Sequence, residues 1–294
     1  MGEDMVKNEI IFIAKPNWYT EEIYPGYRKF YEKFLEQLKV FHEVCALDLP
    51  DIWVRDFLPV QNVKTGQLYQ TFFDPRYANY TSVFNAHIRC EVQKYFPKAI
   101  TCNLRIDGGN ILLNSKLNTV FCFERQTIFH KSKPLEKQKA EQELRTALGV
   151  DKIFWLPREK GDKICHIDGF MQFLGNKLCV SNEVYLSGQN LWDKREKILK
   201  SVINCEIIKF PCAANYNDYL SAKGIYINFL ETSQAVFLPQ FNLREDEKAF
   251  STIKKHTSKP IVLVDCSKIA GYGGAVHCLT REYSNKQSFL NQQE

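Results

Sequence analysis

Residues 110–156, NILLNSKLNTVFCFERQTIFHKSKPLEKQKAEQELRTALGVDKIFWL, carry the pattern that decides the fold. Two short apolar runs, 110–113 and 119–124, flank a polar stretch at 114–118 and predict a hairpin. Residues 133–148 follow with helical spacing: Pro134 near the start, Leu135, Leu144 and Leu148 at apolar positions, and Gly149 as the stop. The run at 152–156 is short, apolar and rich enough in bulky residues for a buried strand. The unit is therefore strand, strand, helix, strand.

The same order recurs along the chain. Strands over 170–174 and 177–181 surround Gly175-Asn176, with a helix over 189–202 and a strand over 206–210. A further unit has strands over 224–230 and 235–238, a helix over 244–256 and a strand over 260–264. Upstream, strands over 57–60 and 68–73 precede a helix over 82–96 and a strand over 100–106. The first unit has a strand over 10–14, a helix over 27–39 and a strand over 41–47. It is one strand short, and residues 276–281 at the far end of the chain are expected to supply it. Joining the termini in this way removes exposed sheet edges. The expectation is a pseudo-symmetric five-bladed α/β propeller of ββαβ units, a single catalytic domain over 1–294 with no Pro-, Gly- or Ser-rich linker. A doubly wound sheet also alternates helix and strand and is the structural alternative. Its neighbours are parallel crossovers, whereas tight hairpins make antiparallel ones.

Composition narrows the function classes. The chain has 294 residues, 45% hydrophobic and 25% charged, which is ordinary for a globular protein. Its net charge of +5 comes from 39 Lys and Arg interspersed with 34 Asp and Glu, with no dense basic run for a nucleic acid. No apolar window reaches bilayer length and the first residues, MGEDMVK, are unlike a secretory signal. The expected setting is cytoplasmic, with no membrane partner. None of the ten cysteines has the close pairing of a zinc knuckle, so no metal site is expected, and most, Cys122 and Cys179 among them, read as small core residues.

After the third strand of each unit the chain crosses to the next through a polar segment. These crossings are Asp51-Ile-Trp-Val-Arg-Asp56, Arg105-Ile-Asp-Gly-Gly-Asn110, Cys165-His-Ile-Asp168, Asn215-Tyr-Asn-Asp-Tyr219 and Gly271-Tyr-Gly-Gly-Ala-Val-His-Cys278. In a closed ring they converge at one end of the axis, where small-molecule sites form. Each has an ordinary explanation. Asp107-Gly-Gly suits a turn, His166 and Asp168 share one face of a strand, and Arg55 and Asp56 form a solvated charge pair. Cys278 is one cysteine in ten. Their equivalent position in a repeat raises them together.

The set also makes chemical sense. A guanidinium is planar, cationic and donor-only, so carboxylates such as Asp56 and Asp168 suit it. Its carbon is a poor electrophile and calls for a thiolate, whose formation a bound cation favours. His166 is an acid for a departing amine at neutral pH, Asp107 orients it, and Gly271-Tyr-Gly-Gly lets backbone approach Cys278. Cys278 is expected at a surface crossing. His277, beside it on the last strand, is expected to face away.

At these residues the chain resembles the agmatine deiminases and bacterial-type peptidylarginine deiminases of the guanidino-group-modifying superfamily. Trp53-Val-Arg-Asp56 is similar to the family's Trp-x-Arg-Asp, Asp107-Gly-Gly to Glu-Gly-Gly, His166-Ile-Asp168 to His-x-Asp, and 271–278 to the Gly-rich run that ends in the nucleophile. Supporting stretches are Leu148-Gly-Val-Asp-Lys-Ile-Phe-Trp-Leu-Pro157, Tyr226-Ile-Asn-Phe229 and Phe237-Leu-Pro-Gln-Phe241. The resemblance implies the five-bladed fold and a covalent Cys278 intermediate. It also implies a ureido product plus ammonia, a place in putrescine and polyamine formation, and no metal or organic cofactor. Cys278, His166, Asp168, Asp56 and Asp107 are the implied catalytic set, with Trp53, Arg55, Asp56, Asp168, Gly109 and Gly274 around the substrate. The chain departs from the pattern at Asp107, Ala275 and Phe57-Leu58. The guanidino substrate (agmatine, free arginine or peptidyl-arginine), transfer to an amine instead of water, a silent guanidinium-binding role and homo-oligomer formation all stay open. A papain-like protease lacks its local Cys signature here.

Overall fold

The middle strand of each repeat carries most of the apolar burial. Thr119–Phe123 is buried along its whole length, and Lys177–Ser181, Val236–Gln240 and Glu9–Ala14 are buried but for one end residue. A strand so covered needs a neighbour on both edges and a helix against it. Thr119–Phe123 pairs antiparallel with Leu112–Asn114 and parallel with Lys152–Leu156, and the helix Lys137–Leu148 makes the return. Lys177–Ser181 has the same two partners in Met171–Leu174 and Ile207–Phe210, with Gln189–Val202 as the crossover. Val236–Gln240 pairs with Leu230–Glu231 and Ile261–Asp265 around Asp246–His256. Leu68–Gln70 pairs with Val60–Gln61 and Ile100–Thr101 around Ser82–Tyr95.

The computed structural model describes residues 9–284 apart from 76, 77, 79, 125–128, 131, 132, 135, 136, 160, 161, 163, 182–188 and 215–219. Within them the blades are five separate three-stranded sheets, a five-bladed α/β propeller and not a doubly wound sheet. Among the described residues no helix is long and apolar enough to cross a membrane. Cys122 and Cys179 are buried core thiols, as expected.

The ring closes as the sequence suggests, but with a shifted strand. Glu9–Ala14 pairs parallel with Glu43–Leu47 and antiparallel with Arg281–Ser284, placing Ile10 opposite Tyr283. The expected strand over 276–281 starts only at Arg281. Before it, the N–H groups of Leu279 and Thr280 bond back to the carbonyls of Ala275 and His277, which removes them from any ladder. Three other boundaries move for local reasons. Val54–Phe57 is one helical turn, and the pairing strand is only Val60–Gln61; a short buried apolar run does not distinguish the two. In 224–230, Ile225 and Asn228 bond back to the carbonyls of Ala222 and Ile225, leaving Leu230–Glu231 as strand. Lys133–Pro134 pairs with Phe129–His130, and the helix starts at Lys137, since proline at a strand end forgoes no ladder bond. A first helix, Trp18–Ile23, is capped reciprocally by Asn17 and Thr20 and lies outside the sequence expectations.

Tyr283 shows what closure depends on. It is fully buried, its ring lies 5.1 Å from Phe12 and 5.9 Å from Phe96, and its hydroxyl donates to the Pro59 carbonyl at 2.7 Å. Tyr283→Ala is expected to lower unfolding stability by about 3–5 kcal/mol, read from the urea midpoint; an unchanged midpoint would show that the last strand is dispensable.

Candidate active site

The first crossing supplies Asp51 and Asp56. Asp51 is buried and accepts from the hydroxyls of Tyr24 at 2.9 Å and Tyr80 at 2.5 Å and from the Ile52 N–H at 2.6 Å, which anchors the segment. The helical turn Val54–Phe57 then turns Asp56 inward, where Oδ1 accepts from the Gly109 N–H at 2.9 Å. Gly108 and Gly109 are glycines for want of space. A Cβ on Gly108 meets the Arg55 carbonyl oxygen at 1.9 Å, and one on Gly109 meets His166 Nδ1 at 2.5 Å and Asp56 Oδ1 at 2.7 Å. Asp107, wholly buried, lies 3.1 Å through Oδ2 from His166 Nε2, so even the shorter carboxylate reaches the ring. On its other edge His166 Nδ1 is 3.5 Å from Asp56 Oδ1. The imidazole thus stands between two carboxylates.

His166 and Asp168 are not on a strand. Cys165 takes a left-handed φ of 58°, costly for a residue with a Cβ, and a 3-10 turn at Ile167–Gly169 follows. The turn sends the two side chains to different partners: Asp168 Oδ2 is 2.7 Å from His277 Nδ1 and 3.6 Å from Cys278 Sγ. Cys278 is buried, at 8% exposure, instead of lying at the surface. His277 does not face away, because the segment that carries it is a turn and not a strand.

Asn228 is the residue that sequence reasoning passed over. Its side-chain N–H₂ donates to Cys278 Sγ at 3.2 Å, and its Oδ1 accepts from the backbone of Ala275 at 3.2 Å and Cys278 at 3.3 Å. A lone amide inside the apolar run Tyr226-Ile-Asn-Phe229 was the available signal. Gly274 has a steric role: a Cβ there meets Trp53 at 2.5 Å and the Cys278 Cβ at 2.8 Å. Trp53 therefore lies against Cys278's own turn. Its ring stands edge-on to Tyr24 at 5.8 Å, and Tyr24 to the exposed Tyr272 at 5.6 Å.

Arg55, expected beside the substrate, has its guanidinium committed within the protein. Its guanidinium makes two bonds to Glu282, its Nε donates to the His277 carbonyl at 3.2 Å and its backbone N–H to the Cys278 carbonyl at 3.1 Å. It is buried and paired away from Asp56, so the solvated-pair explanation also fails. The crossing at 215–219 lies outside the described residues.

The electrostatics are dominated by burial and by repulsion among acidic groups. Burial, then repulsion by Asp168 and Asp56, pushes the Cys278 thiol well above its usual range. Burial and the charges of Asp107 and Asp168 raise Asp56 to about 7, with His166 and the Gly109 N–H pulling the other way. Burial also opposes ionisation of Asp168, but the hydrogen bond from His277 outweighs it, aided by His166 and Arg55, and the carboxyl is held below its ordinary range. One carboxylate is firmly charged and the other is poised.

This fold and this constellation define a carbon–nitrogen hydrolase acting on guanidino groups. Residues 20–283 match the model of the Porphyromonas-type peptidyl-arginine deiminases, and the chain belongs to that family. A Legionella pneumophila relative assigned to the agmatine deiminases is 24% identical over 273 residues, covering 82% of this chain and 75% of its own. The agmatine deiminase of Pseudomonas syringae pv. syringae is 22% identical over 63% of this chain and 59% of its own length. The fold matches that of the C. jejuni agmatine deiminase with a TM-score of 0.73, at 19% identity over 96% of this chain and 95% of the other.

Two outcomes follow from the geometry. Gly109→Ala is expected to displace His166 or Asp56 and to lower any turnover by about 10²-fold, measured as kcat/KM. Asp56 holds its proton to about pH 7 when folded, whereas an unfolded aspartate loses it near 3.9. The folded state therefore binds the extra proton between those values, and the stability it confers is lost as pH rises through them. Asp56→Asn removes this dependence, so the variant should gain on the parent by an amount on the order of a few kcal/mol between pH 4 and 7 in urea titrations. Parallel stability profiles would show that Asp56 is already ionised.

Proposed function

We propose that this chain hydrolyses the guanidinium of a small cationic substrate, agmatine foremost, to a ureido product and ammonia, with residues 1–294 acting as one catalytic unit. The observation that carries the reading is a single buried thiol faced by two buried carboxylates from two other crossings. Asp56 and Asp168 offer acceptors to a donor-only cation. The arriving charge favours the ionised forms of Asp56 and of the thiol, which burial and mutual repulsion otherwise disfavour. Trp53, beside Cys278, gives the planar group an apolar wall.

Cys278 Sγ forms a bond to the guanidinium carbon and its proton passes to His166. The imidazole, held by Asp107, returns a proton to the departing nitrogen as the C–N bond breaks and ammonia leaves. A water then attacks the amidino carbon on Cys278 while His166 accepts its proton. The C–O bond forms, the C–S bond breaks and the thiolate is released with the ureido product. The agmatine deiminases among the relatives support agmatine over free or peptidyl arginine.

The deciding experiment is ammonia release from agmatine, free arginine and blocked-arginine peptides. Agmatine should be turned over with the highest kcat/KM, and no release from any of the three overturns the reading. Release of the substrate's alkyl amine in place of ammonia, with a new guanidine formed from an added amine, would mark a transferase instead. Cys278→Ala should stay folded and lose turnover by about 10³-fold or more, whereas His166→Ala should be inert or accumulate a Cys278 adduct visible by intact mass. Because Asp56 is protonated in the empty site, agmatine binding to Cys278→Ala near pH 6 should release a proton. Calorimetry in buffers of different ionisation enthalpy reads this directly, and a buffer-independent heat would contradict it.

A further inference from the structure

We propose that His277 is a positioning residue for this reaction: its imidazole, donating from Nδ1, fixes the Asp168 carboxylate in the orientation that meets a guanidinium beside Cys278. The inference rests on the deiminase reading above and adds to it a residue outside the cysteine, histidine and carboxylate set.

The oxygen that receives His277 Nδ1 at 2.7 Å is the same Oδ2 that stands 3.6 Å from Cys278 Sγ. Whatever sets that oxygen sets the spacing between clamp and nucleophile. Asp168 alone is free to rotate about its two side-chain bonds, and a single short bond from a fixed donor removes that freedom.

His277 is such a donor because its backbone is held on both sides. Its N–H donates to the Asn228 carbonyl at 3.1 Å and its carbonyl accepts from Arg55 Nε at 3.2 Å. Arg55 also donates its backbone N–H to the Cys278 carbonyl at 3.1 Å, while its guanidinium grips Glu282 on the closing strand. The turn that carries the nucleophile and the imidazole that aims the clamp are thus held by one arginine.

Burial and the nearby Arg55 charge lower the His277 imidazole's affinity for a second proton. A neutral ring has one N–H, and the short contact to a carboxylate assigns it to Nδ1. His277 also lines a cavity of ≈ 560 Å³ with Arg55, Gln172, Arg281 and Glu282, whose lining includes neither Asp168 nor Cys278.

The test compares His277→Asn, whose amide N–H₂ sits at about the place of Nδ1, with His277→Leu, which has no donor. Each is assayed for kcat and KM with agmatine and for Cys278 labelling by a cationic haloacetamidine and a neutral haloacetamide. The cationic reagent needs the clamp; the neutral one needs only an accessible thiol. His277→Leu should lose about 10²-fold in kcat/KM, mostly in kcat, and the same factor in the amidine-to-amide labelling ratio. His277→Asn should recover most of both. Equal losses in the two variants, or a wild-type ratio in His277→Leu, overturn the proposal. Should the leucine variant not fold, the ¹⁵N spectrum of the wild-type imidazole decides: a neutral ring protonated on Nδ1 supports the assignment, and an Nε2–H tautomer ends it. If the wild type releases no ammonia from any guanidino compound, the deiminase reading fails by itself, while labelling ratio and tautomer still report on His277.

Discussion

The pairing of the buried Arg55 with the half-buried Glu282 is the interaction on which the remaining architecture leans. Arg55 belongs to the crossing out of the first blade, and Glu282 to the strand that completes that blade from the other end of the chain. A guanidinium at 3% exposure is tolerated only with a matched carboxylate and with its remaining donors satisfied. Burial would depress its charge, yet the Glu282 carboxylate outweighs that, and Arg55 in turn draws Glu282 down to about 2. The pair is therefore ionic at neutral pH. Because Arg55 also holds the carbonyls of His277 and Cys278, ring closure and assembly of the site are one event.

The crossings are cheap places to put chemistry because the blades beneath them are rigid. In four of the five blades the middle strand is buried on both faces, so the short segments that leave the edge strands are held at fixed points around the axis. Glycine at 108, 109 and 274 then allows main chain and side chains to approach more closely than any Cβ permits. The compactness of the site is purchased by these three positions. The left-handed Cys165 does the same work by torsion, turning His166 and Asp168 toward different partners within three residues.

In the proposed reaction the charges of the site are balanced only once the cationic substrate joins them. Asp168 is kept ionised by its neighbours, Asp56 is raised to about 7, and burial together with the two carboxylates raises the Cys278 thiol. A neutral molecule of the same shape brings nothing to offset that repulsion. In the proposed reaction, selectivity for a guanidinium and activation of the nucleophile come from the same pair of carboxylates.

Periodicity along the chain was sufficient for the five repeats, for the closing of the first blade by the last strand and for the crossings as the place of the site, because these follow from local apolar spacing and from the need to pair every edge. Cys278, His166, Asp168, Asp56 and Asp107 stood out as candidates for a chemical reason, since few other combinations of side chains suit a guanidinium. What the sequence did not determine was direction. Residues 276–280 looked like a strand because an apolar run reads alike in a strand and in a buried turn; only the side chain of Asn228, fifty positions away, takes the N–H groups of Ala275 and Cys278 and bends the segment. That bend brings His277 onto Asp168. Arg55 next to Asp56 looked like part of the substrate clamp, and only Glu282 across the closed ring shows that its charge is already spent. Contacts between residues distant in sequence depend on how the whole ring packs, and no local pattern of residues encodes them.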